Sequence, residues 1–125
     1  KRIIYKLHKK KIRVSLFIEP KINDIKLSKS FGADCVELHT GNFCNTFNNK
    51  LNISKSFSKI KNSADYAKSI NLDVHAGHGL TYDTASQISK IESISEFNIG
   101  HFIISESIFW GLKNTIRKFK KIINR

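Results

Sequence analysis

A parallel α/β sheet is the fold class this sequence predicts, on three observations. Four short apolar runs, RVSLFI (13–18), CVELH (35–39), LDVHA (72–76) and FNI (97–99), have the length and composition of strands. Between them lie segments with apolar residues at spacings of three and four, as amphipathic helices have. Each strand-plus-helix unit takes roughly 25 to 40 residues, enough for the right-handed crossover that joins parallel strands.

The elements follow in order. The lysine-rich opening puts Ile3, Ile4 and Leu7 on one face, the end of a helix whose outer side, including His8, is solvated. Residues 13–18 are almost continuously apolar, as in a strand buried on both faces, and Glu19-Pro20 ends it. From Lys21 the spacing of Ile22, Ile25, Lys26 and Lys29 is helical, and Phe31-Gly32 closes the helix with glycine where a left-handed cap belongs. The second strand, 35–39, buries Cys35. The stretch GNFCNTFNNK (41–50) is rich in asparagine and is expected to be an irregular loop carrying Cys44.

Residues 51–70 carry Ile53, Phe57, Ile60, Ala64, Ala67 and Ile70 along one stripe, a long amphipathic helix. The third strand, 72–76, precedes a short helix over 84–91 with Asp83 or Thr84 as N-cap. After the fourth strand, 97–99, come a short helix over 101–109 and a last one over 112–123 with Leu112, Ile116, Phe119 and Ile123 inward.

Composition narrows the function classes. The 125 residues suit one domain and contain no Pro/Gly/Ser-rich linker; an opening at Lys1 and the absence of methionine point to a piece of a longer protein. No apolar run approaches the roughly 18 to 20 residues that span a membrane, and KRIIYKLHKKK lacks the apolar core of a signal peptide, so a cytoplasmic protein is expected. Cys35 and Cys44 make neither a disulfide framework nor a C-x-x-C motif. The net charge of +12 concentrates at residues 1–11 and 113–121, which argues only weakly for nucleic acid. The same field attracts small phosphorylated substrates.

In such sheets, ligands bind at the carboxyl ends of the strands. That rim collects Glu19, then Glu37 and His39 with Thr40 and Gly41, then His78, then Gly100 and His101. Alternation along the strand puts Glu37 and His39 on one face. His78 and His101 are each flanked by glycine at a strand-to-helix corner, where the backbone can approach an anion and helix N–H groups point at it. An imidazole with a pKa near ~6.5 can lend or take a proton there. Plainer alternatives stand beside these. Glu37 would neutralise a neighbouring lysine, His75 would be a packed core histidine, and the glycine corners would only be tight turns. A metal held by His39, His78, His101 and Cys44 lacks close ligand spacing, so neither a metal nor any other cofactor is expected.

RVSLFIEP, VELHTG, VHAGHGLTYD and FNIGHFII, in this order and at these separations, resemble the carboxyl-terminal half of the pyridoxine 5′-phosphate synthase family. The resemblance runs from about Ile12 to the end. That family is an eight-stranded (β/α)8 barrel of about 250 residues. The resemblance therefore implies that residues 1–125 form a partial TIM-barrel domain supplying strands five to eight. The first half, where the family keeps a histidine and a glutamate as proton acceptors and a substrate-binding arginine and asparagine, lies outside it.

The implied reaction condenses 1-deoxy-D-xylulose 5-phosphate with 3-amino-2-oxopropyl phosphate to give pyridoxine 5′-phosphate, phosphate and water. The implied proton donor is His78, and Gly79, Gly100 and His101 would hold the phosphate of the amino-ketone. Two departures are visible: His75 stands where the family often has asparagine, and Ser105-Glu106-Ser107 replaces a small-Arg-Ala run, which bears on substrate affinity. Half a barrel is expected to be inactive alone, to expose two sheet edges, to need the other half as partner, and to be homo-oligomeric when complete. The alternative is a non-catalytic basic module or degenerate remnant, possibly nucleic-acid binding, with steeply salt-dependent affinity for DNA.

Overall fold

Side chains alternate along a strand, so each strand offers one face to helices and the other to the opposite side of the sheet. The computed structural model describes residues 1–124. In chain order it contains α1 (Arg2–Lys9), β1 (Ser15–Ile18), α2 (Ile22–Phe31), β2 (Cys35–His39), α3 (Gly41–Asn48) and α4 (Ile53–Ser69). Then follow β3 (Asp73–Gly77), α5 (Tyr82–Ile88), β4 (Glu96–Asn98), α6 (His101–Trp110) and α7 (Leu112–Ile123). The four strands are parallel and lie in the order β1-β2-β3-β4. Sequential order without reversal is the winding of a (β/α)8 barrel, whereas a doubly wound sheet reverses at a switch point.

Register aligns Leu16, Val36 and Val74 in one row and Ile18, Leu38, Ala76 and Phe97 in another. All of these but Leu16 pack with Ile25 of α2, Ile60, Ala64 and Ala67 of α4, and Ile88 of α5 in the core. Small Ala64 and Ala67 let α4 lie close to the sheet. Each fully buried Leu, Ile or Val contributes about 1.5–3 kcal/mol by leaving water. The opposite rows run Phe17, Glu37, His75, Glu96 and then His39, Gly77, Asn98. This second face is polar, and it carries the candidate chemistry.

Several expectations are corrected. Residues 41–48 form helix α3, not a loop, and Cys44 is a buried helix residue. Asn42, Asn45, Asn48 and Asn49 are all exposed while Phe43 packs on Phe47 and Phe57, so apolar burial outweighs poor helix propensity. β1 is not buried on both faces: it pairs only with β2 among the described residues, and Phe17 is 55% exposed.

Helix α5 starts at Tyr82 and ends at Ile88, with Thr81, not Asp83 or Thr84, as its N-cap. The Thr81 amide donates to Thr84 Oγ1 (2.7 Å) and the Thr84 amide donates to Thr81 Oγ1 (3.4 Å), a reciprocal box. Helix α7 has the expected bounds, but Leu112 and Ile116 are exposed; Thr115 and Phe119 are its buried residues, because Phe119 packs on Tyr82 and Phe102. In α1 only Ile4 is buried and Ile3 is exposed. His8 is exposed but not merely solvated, since its Nε2 lies 2.8 Å from Asp34 Oδ2.

Candidate active site

Strand β3 ends at Gly77, and the chain turns through two left-handed residues, His78 at φ +80° and Gly79 at φ +76°. Glycine adopts this freely, but a histidine there costs about 1–2 kcal/mol. The turn is clasped by Thr40, fully buried at the end of β2. Its Oγ1 lies 2.8 Å from the Gly77 carbonyl and 2.7 Å from the His78 carbonyl, so one hydroxyl hydrogen is shared, and its amide donates to Gly77 O at 2.9 Å. A strained residue over-determined by its neighbours is a mark of a working site.

The four residues expected to bind and protonate share one cavity. His78, Gly79, Gly100 and His101 line a space of about 490 Å³ together with Leu80, Thr81, Asn98, Ile99 and Phe102. Helix α6 opens onto it without any side-chain cap, since its N-cap is Gly100. The first helical bond there runs from the Ile104 amide to Gly100 O, at 3.1 Å, which leaves the amides of His101, Phe102 and Ile103 without an intrahelical acceptor. The neighbouring N-terminus of α5 is closed by its threonine box. The free amides and the positive end of the helix dipole at this cavity therefore belong to α6. Ser105 and Ser107 turn their hydroxyls back to the carbonyls of His101 and Ile103, away from that end.

The second group of expected residues sits beside the cavity. Glu37 does not neutralise a lysine: its Oε2 accepts from Asn98 Nδ2 at 2.7 Å. The carboxylate crosses from β2 to β4 over Gly77, where a Cβ would run into Glu37 Oε1 and lie 3.0 Å from the Asn98 carbonyl. Glycine at 77 is thus what lets Glu37 reach a cavity-lining residue. His39 Nδ1 lies 2.7 Å from Glu19 Oε1, and the His39 and His78 rings are 4.6 Å apart between centroids. Gly41 begins α3 directly beneath the two rings. His75 is buried, with Nδ1 3.5 Å from Glu96 Oε1.

Cys44 is buried under this rim, and burial pushes its thiol up, so it stays protonated and is a poor nucleophile or ligand at neutral pH. Among the described residues no three His, Cys, Asp or Glu side chains are placed to hold a metal ion. Sequence reasoning missed Asn98 and Gly77. The period-two pleat gives only the face of each, and it is the strand register that brings His39, Gly77 and Asn98 into one row.

Over residues 1–125 the chain matches the family model described as Pyridoxal phosphate biosynthesis protein PdxJ. The chain belongs to this family. Among curated relatives, it is 50% identical over 125 residues to the pyridoxine 5′-phosphate synthase of Pelagibacter ubique (strain HTCC1062), covering 100% of this chain and 52% of the relative. It is 44% identical over 124 residues to that of Zymomonas mobilis subsp. mobilis, covering 99% and 48%, and 47% identical over 112 residues to that of Sulfurihydrogenibium sp., covering 90% and 45%. The chain spans about half the length of the curated relatives it matches. Four consecutive parallel βα units are half of a (β/α)8 barrel, so the length and the sheet agree. Within the PdxJ family frame, the rim just described is the carboxyl-terminal face of the strands. No described helix is long and apolar enough to cross a membrane.

Proposed function

We propose that the protein carrying this chain is a pyridoxine 5′-phosphate synthase, condensing 1-deoxy-D-xylulose 5-phosphate with 3-amino-2-oxopropyl phosphate to release phosphate, water and pyridoxine 5′-phosphate. The observation that carries it is the single cavity shared by His78, Gly79, Gly100 and His101, in a chain whose relatives bear that name. In this reading the uncapped N-terminus of α6, with His101 and Gly79, takes the phosphate of the amino-ketone; amide donors fixed in place stabilise a dianion without reorganising. His78, held over the same cavity, gives a proton to a departing oxygen, as an imidazole can near neutral pH. Glu37 reaches the cavity through Asn98, and His39, Thr40 and Gly41 form the wall behind His78.

The remaining four strands, with the proton acceptors, would come from residues outside this chain, and the complete barrel would work in the cytoplasm as a homo-oligomer. Incubating the full-length protein with both substrates and following product by chromatography tests the proposal. Formation of pyridoxine 5′-phosphate is expected, and a folded protein that makes none would contradict it.

A further inference from the structure

Beside the cavity, a polar assembly of Glu19 and His39 ends against the ring of His78. Glu19, just past β1, places Oε1 2.7 Å from His39 Nδ1, with His39 half-buried and Glu19 exposed. An ionised carboxylate can only accept, so Nδ1 of His39 carries the proton, which fixes the ring's orientation and leaves Nε2 on the far side. That far edge meets His78. A Cβ built on Gly41 would stand 2.9 Å from His39 Nε2 and 3.0 Å from His78 Cδ2, so both rings fill the same space above one glycine. Phe17 closes the arrangement, edge-on to His39 with centroids 5.2 Å apart.

His78 needs such support. Thr40 pins its backbone through the carbonyl, but no hydrogen bond to the His78 imidazole itself is present among the described residues. The ring is located by contact with His39 and, further off, with Phe17 at 6.5 Å. A proton donor must stand in one place relative to the departing oxygen, and a displacement near 1 Å costs about 100-fold in rate.

We propose that Glu19 and His39 are positioning residues for His78: Glu19 fixes the tautomer and plane of His39, and His39 fixes the ring of His78. The inference rests on the function proposed above. In the full-length protein, Glu19→Gln, which can donate as well as accept, should free the His39 tautomer. It should lower kcat about 10- to 100-fold while leaving KM for both substrates nearly unchanged. Gly41→Ala supplies a second route, since Gly41 has no left-handed φ and alanine favours the first turn of α3; it should push the rings apart and lower kcat similarly without loss of fold.

Imidazole 15N spectra of the full-length protein give a readout besides turnover: His39 should hold its proton on Nδ1 in the wild type and not uniquely so in Glu19→Gln. A kcat unchanged in both variants, or a His39 tautomer identical in wild type and Glu19→Gln, overturns the inference. A wild type that folds and gives the Nδ1–H signature but makes no product overturns the proposed function instead.

Discussion

At the scale of the residue, His78 combines a left-handed backbone with the proton-donor role proposed for it. Its left-handed backbone is one that glycine would adopt at no cost, so His78→Gly should hold or raise stability by about 1 kcal/mol while abolishing turnover in the full-length protein. Urea unfolding and product formation measured on the same variant check both halves; a variant that loses stability, or keeps turnover, contradicts the assignment. Gly77 carries a different demand, since its φ is ordinary and the constraint is room for Glu37. Gly77→Ala should break the Glu37–Asn98 bond and reduce turnover at least about tenfold, whereas Asn98→Ala should cost a similar factor without any steric conflict. Turnover preserved in both would detach Glu37 from the reaction.

At the scale of the element, tertiary packing decided where local propensity misled. The three asparagines of α3 and the Asn49 that caps it argue for a loop one by one, yet all four are exposed, and Phe43 and Phe47, four apart, were a helical signal already in the sequence. The N-cap of α5 was misplaced because Thr81 and Thr84 cap reciprocally, a pairing that single-residue preferences do not weigh. In α7, Phe119 is buried as expected, against Tyr82 and Phe102, whereas Leu112 and Ile116 face outward and Thr115 takes the buried place beside it, a choice that only the fold makes. Strand cores and the glycine corners were legible because apolar runs and Gly-His pairs are local signals. Asn98 was not, because its partner Glu37 is 61 residues away.

The tie between α1, β1 and β2 is also an element-scale matter. Asp34 accepts from the Val14 amide at 2.7 Å and pairs with His8, and chiefly that backbone bond, aided by His8 against partial desolvation, holds its carboxyl below the usual carboxylate range. A lowered folded-state pKa gives stability that is full above the unfolded value of about 3.9 and is lost as the pH falls through the folded value. With the carboxylate a third exposed, Asp34→Asn should cost only about 1 kcal/mol at neutral pH. The stability gap between wild type and variant should begin to close below pH ~3.9 and vanish only once the pH is below the lowered folded value, and a gap as large in strong acid as at neutral pH would contradict the tie.

At the scale of the whole molecule, what stands out is what faces solvent. Ile108 and Phe109 are each 78% exposed and Trp110 65%, beside exposed Ile104 and Leu112 on α6 and α7, and β1 and β4 end the sheet among the described residues. Apolar patches and open strand edges of this kind drive association. The 125-residue chain expressed alone should therefore sediment as associated material, and co-expression with the first half of a full-length relative should recover a defined species. A monodisperse monomer of 14.3 kDa would contradict the half-barrel account.

The proposed function places the condensation in the cavity that joins His78 to the N-terminus of α6. Its most direct test is the rate of pyridoxine 5′-phosphate formation by the full-length protein with His78 intact and with His78→Ala, both shown folded by circular dichroism. Product is expected from the first and only background from the second. Equal rates in the two, or no product from a folded wild type, would contradict it.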